Sequence, residues 1–225
     1  MKGETERNRE VFGLEGLPGV GKSTLLRTLG AQGARVLREV PEVAGTPRFK
    51  EFSSAWEKAR YDNDWYLARE VVRTKYAAGL EEPCFLDRCV YSQLAYNYAR
   101  DKLEGLDELG YLLDKLEWCE GRGLFLPMKM VYLYADVDFS IGRMLGRGRD
   151  GEAEKVMKNG AGWYSGEFFE HAKRVYDVLA ESLGRGACVV EVPEYQDGLV
   201  ERVELFRGQS NGQVLSVDEI RRVLK

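Results

Sequence analysis

One stretch of the sequence reads Gly16-Leu17-Pro18-Gly19-Val20-Gly21-Lys22-Ser23 and fits G-x-x-x-x-G-K-[ST] at every fixed position. The segment from Val11 to Leu14 ahead of it is mostly apolar, which predicts a strand, and residues 24–29 continue as a helical leucine stripe. In a strand, loop and helix of this kind, glycines let successive backbone N–H groups face phosphates beside the positive end of the helix. The stretch therefore predicts a nucleotide-binding loop.

This phosphate loop predicts ATP and Mg²⁺ as cofactors. Lys22 is expected to reach the β- and γ-phosphates, and Ser23 is expected to help hold Mg²⁺. We expect the nucleotide to bind Gly16, Gly19, Val20, Gly21, Lys22, Ser23 and Thr24. The loop alone does not identify a reaction. The sequence lacks the N-K-x-D motif of GTPases and the L-S-G-G-Q run of transporter ATPases, which disfavours both classes.

Short apolar runs alternate with helical segments along the remaining chain. Further strands are predicted from Ala34 to Val40, Cys84 to Leu86, Met130 to Tyr134 and Cys188 to Val192. This alternation predicts an α/β protein with three α/β/α layers and a five-stranded, mostly parallel sheet. We expect residues 1–225 to form one domain, with a core at about 10–193, a lid at about 146–165 and a C-terminal helical extension at about 194–225.

The composition excludes several classes of protein. The 225 residues have a formal net charge of -4 and a pI near 5.4, so there is no broad basic surface for nucleic acid polymers. The apolar runs are much shorter than the roughly 18 residues of a membrane span, and the polar, charged residues 1–10 lead us to expect no secretory signal. A cytoplasmic location is expected. The four cysteines lack CxxC spacing and there is one histidine, which favours reduced thiols over a metal site.

Charged residues at the end of one predicted strand and in a glycine-containing, arginine-rich segment indicate phosphoryl-transfer chemistry. Asp87 directly follows a wholly apolar strand, where a carboxylate is placed to bind Mg²⁺, and Arg88 beside it suits an anionic or hydroxyl-bearing acceptor. Arg143 and Arg147 are one helical turn apart, and Arg149 lies just beyond them. The variable loop positions contain no basic residue, so the transferring charge must be met by Lys22, Mg²⁺ and these lid arginines.

The segment Leu86-Asp87-Arg88-Cys89-Val90-Tyr91-Ser92-Gln93-Leu94-Ala95-Tyr96-Asn97 resembles the D-R, Y-S and A-Y-Q elements of the thymidylate kinase and deoxynucleoside kinase superfamily. Residues 132–149 resemble the family's strand, helix and R-G lid, and Leu37-Arg38-Glu39 is similar to its R-E-P element. The resemblance spans roughly residues 10–193. It implies a P-loop kinase fold with an arginine-bearing lid and a small-molecule nucleoside or nucleotide acceptor. The sequence does not determine the oligomeric state, and a homodimer is one option.

One departure from the family leaves the acceptor undetermined: residues 38–46 do not reproduce R-E-P-G-G-T. A nucleoside hydroxyl must lose a proton, and the resemblance implies a glutamate base, Glu39 or Glu42. A monophosphate needs no base, and Arg69, Arg73 and Arg88 would then hold its phosphate. The candidates for contact with a base are Trp65, Tyr96 and Asn97, although aromatic residues at helical spacing also suit a core.

The sequence thus predicts ATP-dependent phosphoryl transfer to a thymidylate-like nucleoside monophosphate or a related nucleoside. The predicted catalytic residues are Lys22, Asp87, Glu42, Arg143, Arg147 and Arg149, with Ser23 and Asp87 as metal ligands. Two alternatives stay open. In the first alternative the chain is a kinase of another small hydroxyl compound, such as an antibiotic or sugar. In the second it is a non-catalytic ATP-binding regulatory module.

Overall fold

The computed structural model describes residues 10–40, 44, 51–120, 122, 126–127, 129–147, 165–192, 198–207 and 215–224. The strands of this part of the chain are β1 (Val11–Glu15), β2 (Arg35–Leu37), β3 (Cys84–Asp87), β4 (Lys129–Tyr134) and β5 (Ala187–Glu191). They form a five-stranded sheet in the order β2-β3-β1-β4-β5, and each neighbouring pair is parallel. The predicted five-stranded parallel sheet is confirmed.

Helices connect these strands. They are α1 (Lys22–Ala31), α2 (Ala55–Ala78), α3 (Val90–Glu104), α4 (Glu108–Glu120), α5 (Val137–Arg147), α6 (Gly166–Leu183), α7 (Leu199–Arg207) and α8 (Val217–Val223). A short 3₁₀ turn, Gly184–Gly186, joins α6 to β5. None of the helices in the described part of the chain is long and apolar enough to cross a membrane.

The sheet is covered by helices on both faces. The Phe12 ring stacks on Phe85 at 4.7 Å between centroids, and its edge meets Phe206 of α7 at 6.1 Å. The next residue, Gly13, faces the opposite side, where an added Cβ would lie 3.0 Å from Cys89 Sγ. Successive residues of a strand point to opposite faces, so α7 and the start of α3 lie on different sides of the sheet. The predicted three-layer arrangement is confirmed.

The central strands explain why the apolar runs were visible in the sequence. Every residue of β1 and β3 is buried, as expected for parallel strands covered on both faces. Register pairs Leu14 with Asp87 and Glu15 with Tyr132, so the carboxyl ends of β3, β1 and β4 meet at one edge. That edge carries the phosphate loop.

The other predicted strands agree with the structure to within one residue at each end, whereas one strand and one helix differ by more. The strand predicted from Ala34 to Val40 extends only over Arg35–Leu37, because β3 supplies partners to these three residues. The sequence pattern from Phe52 to Ala78 predicts one long helix, and this helix begins at Ala55, because the Ser54 side chain accepts a 3.1 Å hydrogen bond from Glu57 N and caps it. The site described below depends on neither difference.

The end of the chain packs back on the core. Helix α8 contacts α4 and α6 and buries Val217 and Ile220. A capping box at Ser216 starts α8, and Arg221 reaches Asp114 of α4 at 2.8 Å. The predicted C-terminal helices therefore contact the same body that carries the sheet.

Candidate active site

The phosphate loop joins β1 to α1 in a backbone conformation that needs glycine. Gly16 and Gly19 have φ values of 136° and 85°. A Cβ on Gly16 would lie 2.5 Å from Leu133 O, and one on Gly19 would lie 2.8 Å from Ser140 O. Both glycines therefore combine a left-handed backbone with close contact to β4 or α5. Val20 is buried beside them.

Lys22 occupies the centre of this loop. It is 7% exposed, and its Nζ donates hydrogen bonds of 2.8 Å to both Gly16 O and Leu17 O. Burial lowers the pKa of Lys22 below its ordinary value, whereas the nearby carboxylates of Glu15 and Asp87 act to raise it. Ser23 and Thr24 are exposed in the first turn of α1. The ammonium group and the open helix N-terminus thus lie where the loop pattern places bound phosphates.

Asp87 ends β3 beside the loop and is 7% exposed. Its register partner is Leu14, and its charge acts on Lys22. Hydroxyl and carboxylate oxygens are hard ligands of the kind that Mg²⁺ takes together with substrate phosphates. Ser23 and Asp87 therefore fit the predicted metal ion.

An ion pair joins the tips of β2 and β3. Glu39 Oε1 lies 3.0 Å from Arg88 Nε, and Arg88 Nη1 also donates a hydrogen bond to Tyr96 OH. Arg88 has a positive φ of 54°, which is uncommon for a residue with a side chain. This backbone turn directly follows Asp87. Three residues predicted to face the acceptor, Glu39, Arg88 and Tyr96, are thereby brought together beside the phosphate loop.

Arg73 of α2 has a different environment from the other predicted acceptor arginines. Its guanidinium pairs with Glu70 at 2.8 Å and donates to Arg38 O at 2.8 Å and to Asp87 O at 3.1 Å. It also donates to Arg88 O. Its side chain is 9% exposed. Arg73 therefore holds in place the backbone at the carboxyl ends of β2 and β3.

Arg69 lies one turn before Arg73 and stacks on an indole. Its Cζ is 3.7 Å from the centroid of the Trp65 ring, and Nη1 donates to Trp65 O at 3.0 Å. The half-buried Trp65 also meets Tyr66 edge to face at 5.0 Å. Arg69, which was predicted to bind the acceptor phosphate, thus covers one face of Trp65, which was predicted to stack on the base.

Asn97 forms a reciprocal amide pair with Asn63 of α2. Asn63 Nδ2 donates to Asn97 Oδ1 at 2.7 Å, and Asn97 Nδ2 donates to Asn63 Oδ1 at 3.0 Å. Asn97 Nδ2 also donates to Gln93 O at 2.8 Å. Both asparagines are buried. Asn63 was not among the predicted residues. It could have been found from the sequence as a polar residue at a helical position that its apolar neighbours predict to be buried.

Two carboxylates hold the start of α3, and neither was predicted. Glu15, which is fully buried, accepts hydrogen bonds from Cys89 N at 2.7 Å and from the Ser92 hydroxyl. Glu70 accepts a backbone hydrogen bond from Val90. Negative charge at a helix N-terminus is favourable. Burial raises the pKa of Glu15 to about 7, although the bonds from Cys89 and Ser92 oppose the shift.

The helix that leads into the predicted lid touches the phosphate loop. Arg143 Cβ would lie 3.2 Å from a Cβ on Gly19, and its guanidinium is 5.9 Å from the centroid of the Phe139 ring. Arg147 ends α5, and its side chain lies outside the described residues, as do Arg149 and Glu42. Among the predicted lid arginines, Arg143 is therefore the one with a described side chain.

No protein-family model matches this sequence, and no curated protein matches it either. Solved structures do match its fold. The deoxyadenosine kinase from M. mycoides with the products dCMP and a flexible dCDP bound has a TM-score of 0.61 at 18% identity, covering 87% of this chain and 95% of that chain. The same enzyme with bound dATP has a TM-score of 0.61 at 17% identity, covering 87% and 96%. The resemblance to the deoxynucleoside kinases is confirmed for the fold.

Proposed function

We propose that this chain, which has the fold of the deoxyadenosine kinases, is an ATP-dependent nucleoside kinase whose acceptor is a deoxynucleoside hydroxyl. The observation that carries this proposal is the pair Glu39–Arg88, joined at 3.0 Å beside the phosphate loop. A carboxylate held there suits an acceptor that must lose a proton during attack. A deoxynucleoside 5′-hydroxyl is such an acceptor.

In the proposed reaction the acceptor oxygen forms a bond to the γ-phosphorus of ATP. The bond between that phosphorus and the β,γ-bridging oxygen breaks, and ADP leaves. The hydroxyl proton passes to the Glu39 carboxylate, which Arg88 orients through the 3.0 Å contact. Arg88 is in turn held by its hydrogen bond to Tyr96 OH. Glu42 remains a second candidate for the base.

The donor side supplies positive charge. Lys22 exchanges its two carbonyl partners for the phosphates of the nucleotide, and Arg143 meets the charge that develops on the transferring group. Arg147 and Arg149 are proposed to act with it from the lid. Ser23 and Asp87 are proposed to hold Mg²⁺, which neutralises phosphate charge when bound.

Electrostatics favours a hydroxyl over a monophosphate. The carboxylate of Glu39 would repel a phosphate dianion placed beside Arg88. Arg73, which a monophosphate would need, already binds Glu70 and three backbone carbonyls. A nucleoside therefore fits the charges around Arg88 better than thymidylate does.

The test is an ADP-release assay with deoxynucleosides, their monophosphates, and alcohols such as aminoglycosides and sugars. We expect turnover of deoxynucleosides, and a loss of about 100-fold or more in kcat for Glu39→Gln. The matched control, Glu181→Gln, changes an exposed glutamate on α6 and is expected to retain activity. Turnover of monophosphates alone would contradict the proposal, and an unchanged kcat in Glu39→Gln would exclude Glu39 as the base and favour Glu42.

The same assay addresses the regulatory alternative. We expect Lys22→Ala to abolish ADP release, because its ammonium is the loop cation nearest the predicted phosphates. Binding of ATP without ADP release for any acceptor would instead support a non-catalytic module. Turnover of the sugar or the aminoglycoside alone would identify a kinase of another hydroxyl compound.

A further inference from the structure

A serine hydroxyl connects the lid helix to the phosphate loop. Ser140 of α5 is fully buried, and its hydroxyl donates a hydrogen bond to Pro18 O, a residue 122 positions earlier in the chain. A serine inside a helix commonly bonds the carbonyl four residues before it. Ser182 of α6 does so, donating to Val178 O at 2.8 Å. The Ser140 hydroxyl therefore connects α5 to the phosphate loop and does not bond within its own helix.

The backbones of the two elements also touch. A Cβ on Gly19 would lie 2.8 Å from Ser140 O, 3.2 Å from Arg143 Cβ and 3.5 Å from Met144 N. Only a glycine leaves room for this approach without moving α5. The loop and α5 are thus docked at two adjacent points, the Pro18 carbonyl and the Gly19 α-carbon.

The hydrogen bond also fixes one peptide plane of the loop. In a trans peptide the C=O and the following N–H point in opposite directions. Because the Pro18 carbonyl points to Ser140, the Gly19 N–H points away from α5. Loss of the Ser140 hydroxyl would release both the helix and this peptide.

Arg143 depends on this docking for its place. It follows Ser140 by three residues, so the two lie on neighbouring positions of the same helical face. The Arg143 side chain is exposed, and the helix backbone fixes where its flexible stem begins. An arginine can stabilise a transferring phosphoryl group only when its guanidinium is held near that group.

We propose that Ser140 is a positioning residue that holds Arg143 over the phosphate loop for contact with the γ-phosphate of ATP. This inference rests on the proposed kinase function. Ser140 acts through Arg143 and through the Pro18–Gly19 peptide, and it does not touch the acceptor. Its removal therefore lowers kcat and leaves the KM for the acceptor unchanged.

The first test compares Ser140→Cys with Ser182→Ala. Cysteine fills the space of the serine but is a weak donor, so the variant removes the hydrogen bond without opening a cavity. We expect Ser140→Cys to lower kcat about tenfold, the effect of one lost hydrogen bond, with a lower Tm and an unchanged acceptor KM. Ser182→Ala removes a hydroxyl-to-carbonyl bond far from the loop and is expected to keep full kcat.

A double-mutant cycle separates positioning from general damage. Arg143→Ala is expected to lower kcat about 100-fold in the wild-type background and at most about tenfold in the Ser140→Cys background. Equal losses in the two backgrounds would overturn the proposal. Ser140→Thr keeps the hydroxyl but adds a methyl group in a buried site, so we expect it to retain more activity than Ser140→Cys despite a lower Tm.

Nucleotide affinity gives a readout that needs no acceptor. We expect Arg143→Ala to weaken binding of ATP several-fold and to leave ADP affinity unchanged, because the proposed contact of Arg143 is with the γ-phosphate. Ser140→Cys also releases the Pro18–Gly19 peptide, so we expect it to weaken binding of ATP more than binding of ADP. Calorimetric titration with the two nucleotides measures this ratio. Parallel changes in both affinities, or none, would overturn the role of Ser140 even where a nucleoside is turned over. A shifted ratio without any turnover would contradict the kinase proposal alone.

Discussion

Glu15 Oε1 accepts a 2.7 Å hydrogen bond from Cys89 N, so the last residue of β1 holds the first turn of α3. The two residues are 74 positions apart. Their contact links the strand that enters the phosphate loop to the helix that carries Tyr96. The carboxylate has no exposed surface, so its protonation is coupled to folding.

This contact predicts a pH dependence of stability. Burial raises the pKa of Glu15 from 4.5 to about 7, so the folded state binds a proton more tightly than the unfolded state between these values. The contribution of Glu15 to the free energy of unfolding should therefore be largest below pH 4.5 and decrease as the pH rises through 7. Glu15→Gln removes this part of the decrease. Urea unfolding of wild type and Glu15→Gln from pH 5 to 8 measures how steeply the free energy of unfolding of each protein falls with pH.

Glu108 adds to the same slope, because burial raises its pKa to about 7 as well, with Arg100 opposing the shift. A smaller slope is therefore expected to remain in Glu15→Gln. Glu181→Gln, which changes an exposed carboxylate, is the control and should keep the wild-type slope. Parallel curves for wild type and Glu15→Gln would contradict the assignment.

Gly19→Ala and Gly33→Ala form a second matched comparison. Both glycines have positive φ, at 85° and 93°, but a Cβ on Gly33 meets nothing within 4 Å. Gly33→Ala should therefore cost only the backbone strain, about 1–2 kcal/mol in unfolding free energy. Gly19→Ala must also displace α5 from the loop. We expect a larger loss of stability and weaker ATP binding, measured by urea unfolding and calorimetry; equal effects would exclude the steric contact with Ser140.

The amide pair of Asn63 and Asn97 predicts strong coupling. Replacing either one by Ala leaves the other buried with lost partners, at a cost of about 1–3 kcal/mol in unfolding free energy. The double variant should cost less than the sum of the single variants. Additive costs would argue against the pair. Acceptor KM values across bases, measured for Asn97→Ala, test its predicted contact with the nucleobase.

Arg73→Lys and Arg69→Lys distinguish two roles on one helix. Lysine keeps the positive charge but cannot reproduce the bidentate contact of Arg73 with Glu70, so we expect a loss of about 1.5–3 kcal/mol in unfolding free energy. Arg69 mainly stacks on Trp65, and its replacement should cost at most about 1 kcal/mol. Denaturant unfolding compares the two. A larger effect on monophosphate KM than on stability would instead favour Arg73 as a phosphate ligand.

Local patterns predicted most of the fold. Apolar runs such as Cys84 to Leu86 are visible because both faces of a central strand are buried, and the loop motif depends on fixed spacing over eight residues. Asp87 was predictable for the same reason: a charged residue that ends an apolar run lies at the sheet edge. Glu39 was predicted from the family resemblance of Leu37-Arg38-Glu39 and not from such a run.

Contacts between distant segments escaped prediction. Ser140 and Pro18 are 122 residues apart, and Ser92 and Glu15 are 77 residues apart. A serine or a glutamate beside apolar residues has no local pattern that reveals its partner. The position of Arg73 illustrates the same limit, because its spacing from Arg69 suggested a shared ligand while packing gave the two arginines different partners.

The strand order has a consequence for the time at which the nucleotide site forms. Val11 pairs with Cys84, and Phe12 pairs with Lys129, so the first strand is hydrogen-bonded on both sides by segments that are synthesised much later. A nascent chain that ends before β4 leaves one edge of β1 open. Such non-local pairing slows folding and exposes strand edges. The phosphate loop, although encoded near the start of the chain, acquires its rigid frame only late in synthesis.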